Sequence, residues 1–121
     1  CMHFVTGTLV SVVFQIAHIM PDTKFPLPDK EGIINDNWYG HQLATTSNFS
    51  PNSGFLFWLI GGLNYQVEHH LLPDVCHVHY KKLTKIVAET AREFGMPYHV
   101  KKSMFQAIVA HTKMLRSLGS A

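Results

Sequence analysis

The run Gln66-Val67-Glu68-His69-His70 decides how the rest of the chain is read. Taken as a helix, it sets Gln66, His69 and His70 at i, i+3 and i+4, so one amide and two imidazoles leave the same face and can share a focus. Each imidazole brings two polar nitrogens that must be satisfied if buried. A metal ion satisfies one nitrogen per ring. Imidazole suits iron, zinc, copper and nickel alike, so the pair points to a first-row transition metal without naming it. For a bare His-His pair the commoner reading is plainer: two hydrogen-bonded histidines on a partly exposed helix.

The flanking text changes that balance. The longer run Gly61-Gly62-Leu63-Asn64-Tyr65-Gln66-Val67-Glu68-His69-His70-Leu71-Leu72-Pro73 resembles the third histidine box, Gln-x-x-His-His followed by Leu-x-Pro, of the membrane fatty-acid desaturases. It is most similar to the front-end branch (delta-5/delta-6 type), which places a double bond between an existing one and the carboxyl end. Phe14-Gln15-Ile16-Ala17-His18 resembles the segment that gives this family an extra metal-binding histidine upstream of the third box. Trp38 with His41-Gln42-Leu43-Ala44-Thr45-Thr46-Ser47-Asn48-Phe49 resembles its connector, Trp then Gln-Leu-x-Thr-x-x-Asn. Tyr80 onward, through Gly95-Met96-Pro97-Tyr98, is similar to its cytosolic tail, so the likeness covers essentially all 121 residues.

The resemblance implies a di-iron centre, because removing two hydrogens from unactivated methylenes needs a redox metal that activates O₂. Carried over residue by residue, His18, His69 and His70 would be iron ligands. Gln66 takes the place of a third histidine found in other branches and would bind directly, through water, or only orient a neighbour. Glu68 is a weaker candidate for accepting an N–H from a ligating imidazole, with solvent its more ordinary destination. Two irons with roughly four to six ligands each need about eight donors, twice what these residues supply. No His-x-x-x-His and no second His-x-x-His-His occurs in the chain, so the rest of the iron ligands are expected upstream. The implied partners are membrane lipid, an acyl-CoA or acyl-lipid substrate, and cytochrome b5 or ferredoxin as electron donor; no nucleic-acid partner is expected. A sibling membrane di-iron hydroxylase shares the boxes. A small helical zinc-binding or interaction module is the alternative of a different class, with Cys76-His77-Val78-His79 as its nearest donors. His41 reads as non-ligating, and His3, His99 and His111 as surface or packing residues.

Hydrophobic residues make up 46% of the chain and charged residues 15%, low for a soluble domain. Lys24 and Lys30 against five acids leave residues 1–73 at −3; eight basic residues against Asp74, Glu89 and Glu93 put residues 74–121 at +5. An apolar front and a basic tail fit a membrane protein whose tail meets anionic lipid on the cytoplasmic side. Cys1 and Cys76 make no disulfide framework. Beginning inside an apolar run, the chain reads as the C-terminal part of a longer desaturase.

The expected fold is all-α, part of a membrane helical bundle. Residues 1–20 carry no Asp, Glu, Lys or Arg and predict a transmembrane helix, diluted by small and hydroxylated residues as helices packed in a bundle are. Residues 21–50 predict a loop, including Asn35-Asp36-Asn37, and a short connector helix over 38–49. Residues 51–73 predict the histidine-box helix, lying at the interface or tucked under the bundle, with Ser50-Pro51 as its start, a close approach or a bend at Gly61-Gly62 and a stop at Pro73. Residues 74–121 predict two cytosolic amphipathic helices. The first turns Leu83, Ile86, Val87, Thr90, Ala91 and Phe94 inward and ends at Gly95; the second starts with a Ser103/Gln106 capping box, turns Phe105, Ile108, Val109, Thr112 and Leu115 inward and stops at Gly119. Phe14, Phe57 and Trp58 are apolar candidates for lining an acyl chain, core packing being their ordinary role.

Overall fold

The computed structural model describes residues 1–34 and 37–120; the expected loop at Asn35-Asp36 lies outside the described residues. Six helices carry the fold: α1 (Met2–His18), α2 (Trp38–Thr45), α3 (Gly54–Leu59), α4 (Gln66–Leu71), α5 (Tyr80–Glu93) and α6 (Met104–Leu118). Two three-residue strands, β1 (Ser47–Phe49) and β2 (His99–Lys101), pair in parallel with Asn48 opposite Val100. The all-α expectation is corrected by this pair. A three-residue segment cannot display alternation in sequence, and its partner lies half the chain away.

Two apolar clusters organise the helices. Val13, Ile16, Ala17 and Met20 from the end of α1 pack with Phe49, Leu56 of α3 and Ala107 of α6. Leu43 of α2, Val67 of α4 and Ala91 of α5 form the second, with Leu71, Val87, Met96 and Tyr98 around them. β1 joins the two: Phe49 sits in the first cluster, while Asn48, one residue earlier and on the opposite side of the strand, bonds to α4.

The first helix closes at His18, two residues earlier than expected. The Thr23 hydroxyl donates within 2.8–2.9 Å of the His18 and Met20 carbonyls and accepts from the Met20 N–H, so the chain turns there instead of continuing. At 1.5 Å per residue α1 is about 25 Å long. No helix among the described residues is long and apolar enough to cross a membrane.

The single helix expected over 51–73 is two helices. Ser53, not Ser50-Pro51, caps α3 by accepting the Leu56 N–H, and Ser50 instead adopts a left-handed conformation (φ 51°). Gly61 and Gly62 (φ 61° and 77°) terminate α3, with the Gly62 N–H donating to the Phe57 carbonyl as in a Schellman stop. The glycines therefore end a helix and do not bend one, and the close approach that was the other expectation occurs at Gly62, where an added Cβ would lie 2.8 Å from His77 Cβ. The connector helix likewise stops at Thr45 and yields to β1.

The tail is closer to expectation at its ends than on its faces. α5 stops in a complete Schellman motif at Gly95, with Gly95 N–H to Arg92 and Met96 N–H to Ala91 at 3.1 and 2.8 Å. Ser103 accepts the Gln106 N–H; Gln106 reaches back to the Lys102 N–H, one residue short of a full capping box. On α5, Ala91 is buried and Leu83 and Val87 are half-buried, whereas Ile86 and Phe94 are exposed. The face expected inward on α6 is turned out. Ala107 and His111 are buried with Met104 and Ala110 beside them, and Phe105, Ile108, Val109 and Leu115 are exposed. Both faces of α6 are apolar, and close packing selects the one with alanines.

Candidate metal centre

α4 begins at Gln66 without a side-chain cap of its own. Asn48 supplies one from β1: its Oδ1 accepts the Val67 N–H at 2.8 Å, satisfying a donor that a helix start leaves orphaned. Its Nδ2 donates to Glu68 Oε2 at 2.8 Å and lies 2.8 Å from the Tyr98 hydroxyl, which itself donates to Glu68 Oε1 at 2.6 Å. Glu68 is fully buried. It does not point to solvent, which corrects that expectation; its carboxylate is held by Asn48 of β1 and by Tyr98. Burial first, then the Glu68 charge and hydrogen bond, raises the Tyr98 phenol far above its usual range, so Tyr98 stays a donor.

With α4 fixed from behind, His69 and His70 leave the other side. The end of α1 brings His18 to them: the His18 and His70 rings meet edge to face with centroids 4.9 Å apart, and those of His69 and His70 are 5.7 Å apart. His18 Nδ1 lies 3.3 Å from the Thr45 carbonyl oxygen, which can only accept, so a bond there leaves the lone pair on Nε2. His69 Nδ1 lies 3.4 Å from the Tyr80 hydroxyl. Burial, then the neighbouring His18 and His69, lowers the His70 imidazole from its usual 6.5 to about 4. At neutral pH that ring carries no proton charge and keeps a free lone pair.

Gln66 is buried, with Nε2 3.5 Å from His70 Nε2 and Oε1 buried without a hydrogen-bond partner. An acceptor stranded beside an imidazole nitrogen suits a cation or a cation-bound water. Among the described residues no group of three or more His, Cys, Asp or Glu closes around an ion-sized gap.

His41 borders the same open hollow as His18 and Thr45, and its Nδ1 is buried without a hydrogen-bond partner. His77 packs against Phe57 and Trp58, with Cys76 Sγ 4.0 Å from its Nδ1. His111 is a buried packing residue: its Nδ1 lies 2.8 Å from the Ile19 carbonyl oxygen and its Nε2 3.0 Å from Gln15 Oε1, tying α6 to the end of α1. Phe57 and Trp58 line a common hollow of about 170 Å³ with Tyr65 and Val78, whereas Phe14 is exposed on α1 and is not part of it. The apolar groove of the molecule is elsewhere, about 350 Å³ between α2, α4 and α5 against Leu43, Leu71, Val87, Ala91 and Met96. In the sequence, only the family resemblance touches Asn48 and Tyr98. The available signal was an asparagine and a tyrosine each embedded in an apolar segment, where buried polar groups need partners.

The fold thus brings histidines from an apolar helix and from a helix that ends shortly before a proline to one place. The fatty acid desaturase family matches residues 1–102, and the chain belongs to it. Over 116 residues it is 41% identical to the sn-1 linoleoyl-lipid 6-desaturase of Synechocystis sp., covering 95% of this chain and 32% of that protein. It is 43% identical to the acyl-lipid (8-3)-desaturase of Physcomitrium patens, over 95% of this chain and 24% of the relative. The Delta(5) fatty acid desaturase A of Dictyostelium discoideum is 35% identical over 97% of this chain and 26% of its own length. The chain thus spans about a quarter to a third of these relatives. No solved structure matches it.

Proposed function

We propose that this chain is the C-terminal part of a membrane acyl desaturase, carrying the third histidine box, which introduces a cis double bond into a fatty acyl chain and is inactive as an isolated fragment. What carries the reading is the meeting of His18 from α1 with His70 and His69 from α4, beside the unpartnered Oε1 of Gln66. These residues would hold iron in a di-iron centre completed by upstream ligands, with Gln66 binding directly or through water. When bound, iron supplies the O₂ activation that an unactivated methylene demands. Thr45 and Tyr80 orient the rings of His18 and His69, and Asn48 and Tyr98 hold α4 from behind through Glu68. The groove along Leu71, Val87 and Ala91 offers an apolar surface to a methylene chain. Cytochrome b5 or ferredoxin provides electrons, the acyl group arrives on coenzyme A or a lipid, and the protein is integral to the membrane with its box and tail on the cytoplasmic side.

The test is made in the full-length protein, expressed in a host fed polyunsaturated acyl chains. His69→Ala and His70→Ala each lower new double bonds by about a hundredfold or more, with iron content falling and protein level unchanged. Undiminished desaturation would refute the ligand role. Hydroxy-acids from the unaltered protein, without new double bonds, would reassign it to the hydroxylases.

A further inference from the structure

The last helix lies beyond the stretch that the desaturase family matches, and nothing above gives it a task. Its inner side is accounted for: Ala107 is fully buried in the cluster with Val13, Ile16 and Ala17 of α1 and Met20 just beyond it, and His111 bridges the Ile19 carbonyl and the Gln15 side chain. Its outer side presents Phe105 (76% exposed), Ile108, Val109 and Leu115 to solvent. Such a continuous apolar surface on a helix is costly in water. From Phe94 to Ala121 the chain has Lys101, Lys102, Lys113 and Arg116 and no acid. Lys101 is paired with Asp22; no ion pair of Lys102, Lys113 or Arg116 occurs among the described residues, and all three are exposed. An apolar face edged by free cations is the pattern of a helix lying in the plane of a membrane surface. Its depth is set independently. The His111 clamp holds α6 at the last turn of α1, the end of that helix nearest its charged loop. α3 shares the same core through Leu56 and also turns Phe55, Trp58 and Leu59 outward, Trp being a residue favoured at the headgroup level.

We infer that α6 is a membrane-surface helix that docks on a leaflet carrying anionic lipid, sinking Phe105, Ile108, Val109 and Leu115 to the level of the first acyl carbons while Lys102, Lys113 and Arg116 meet phosphate headgroups. The inference rests on α1 being embedded in the bilayer as proposed above. α6 is then not a cytosolic scaffold helix but a float that fixes how deep the histidine helix rides.

Single cysteines at Leu9, Gln106 and Val109, introduced one at a time into the full-length protein with all other cysteines replaced by serine, are labelled with an environment-sensitive fluorophore. The protein is reconstituted in phosphatidylcholine vesicles with about a third phosphatidylserine, carrying quenchers near the headgroups or at the bilayer centre. The expected result is quenching of the Val109 probe by the headgroup quencher about threefold above that by the central one, no quenching at Gln106, and central quenching at Leu9. Lys102→Gln, Lys113→Gln and Arg116→Gln together then lower Val109 quenching about twofold or more in phosphatidylserine vesicles. A Val109 probe in water while Leu9 is quenched overturns the docking and leaves the embedded α1 standing. An unquenched Leu9 overturns both. A Val109 probe shielded from water yet unquenched by lipid also overturns it: energy transfer between molecules would then assign the face to a second copy, and its absence to another segment of the same protein.

Discussion

Glu68 is where the orientation of the histidine pair is decided, because its carboxylate is buried on the back of α4 and depends on two donors. Tyr98→Phe removes one hydrogen bond to a charged group and should cost about 2 kcal/mol; Asn48→Ala removes another and the Val67 cap besides, and should cost about 3 kcal/mol or more. Urea midpoints at neutral pH measure both, and equal midpoints for the variants and the parent would show that α4 is held by packing alone. Two neighbouring glycines allow a sharper comparison. At Gly62 (φ +77°) an added Cβ would lie 2.8 Å from His77 Cβ, whereas at Gly61 (φ +61°) it would meet open space. Gly61→Ala should cost about 1 kcal/mol for the left-handed backbone, and Gly62→Ala clearly more, because the clash adds to it. The pairing of His69, His70 and Gln66 was legible in sequence because helical spacing alone groups them. The role of Asn48 was not, since its partners stand 19, 20 and 50 residues away and no local period encodes them.

Among the elements, the ends were easier to read than the faces. Gly95 and Gly119 follow α5 and α6 as stops because a glycine or a left-handed residue after an apolar run has a local cause. The inward face of α6 has none: with two apolar faces to choose from, packing took the one with Ala107 and His111, whose partners at the end of α1 lie some ninety residues earlier. Gly61-Gly62 was visible as a disturbance, and only the Gly62–Phe57 hydrogen bond distinguishes a stop from a bend. The β1–β2 pair carries a pH prediction. Burial lowers the His99 imidazole below its usual 6.5, with Asp22 pulling the other way and Lys101 and Lys24 adding to burial. A histidine whose folded pKa is depressed takes up protons more readily when unfolded, so its share of stability is complete above 6.5 and is lost as pH falls below that value. Acidification from pH 8 to about 5.5 should therefore lower the urea midpoint of the parent more than that of His99→Gln. Parallel pH curves for the two would exclude His99 as the cause.

At the scale of the molecule, the apolar side chains that remain outside are the dominant fact. α1 exposes Met2, Phe4, Val5, Leu9, Val10 and Phe14, α3 exposes Phe55, Trp58 and Leu59, and α6 exposes the face described above. Surfaces of this kind associate in water. The chain on its own should sediment as large aggregates in buffer and as a small particle in mild detergent, and a monodisperse detergent-free monomer would count against the membrane reading. The parallel clasp between Ser47–Phe49 and His99–Lys101 has a further consequence, for synthesis. Translation delivers the box some thirty residues before β2, so a nascent chain halted short of Val100 emerges with β1 unpaired and α6 missing. A stop codon just after Tyr98 should thus abolish accumulation of the protein, because a strand laid down early waits for a partner made some fifty residues later.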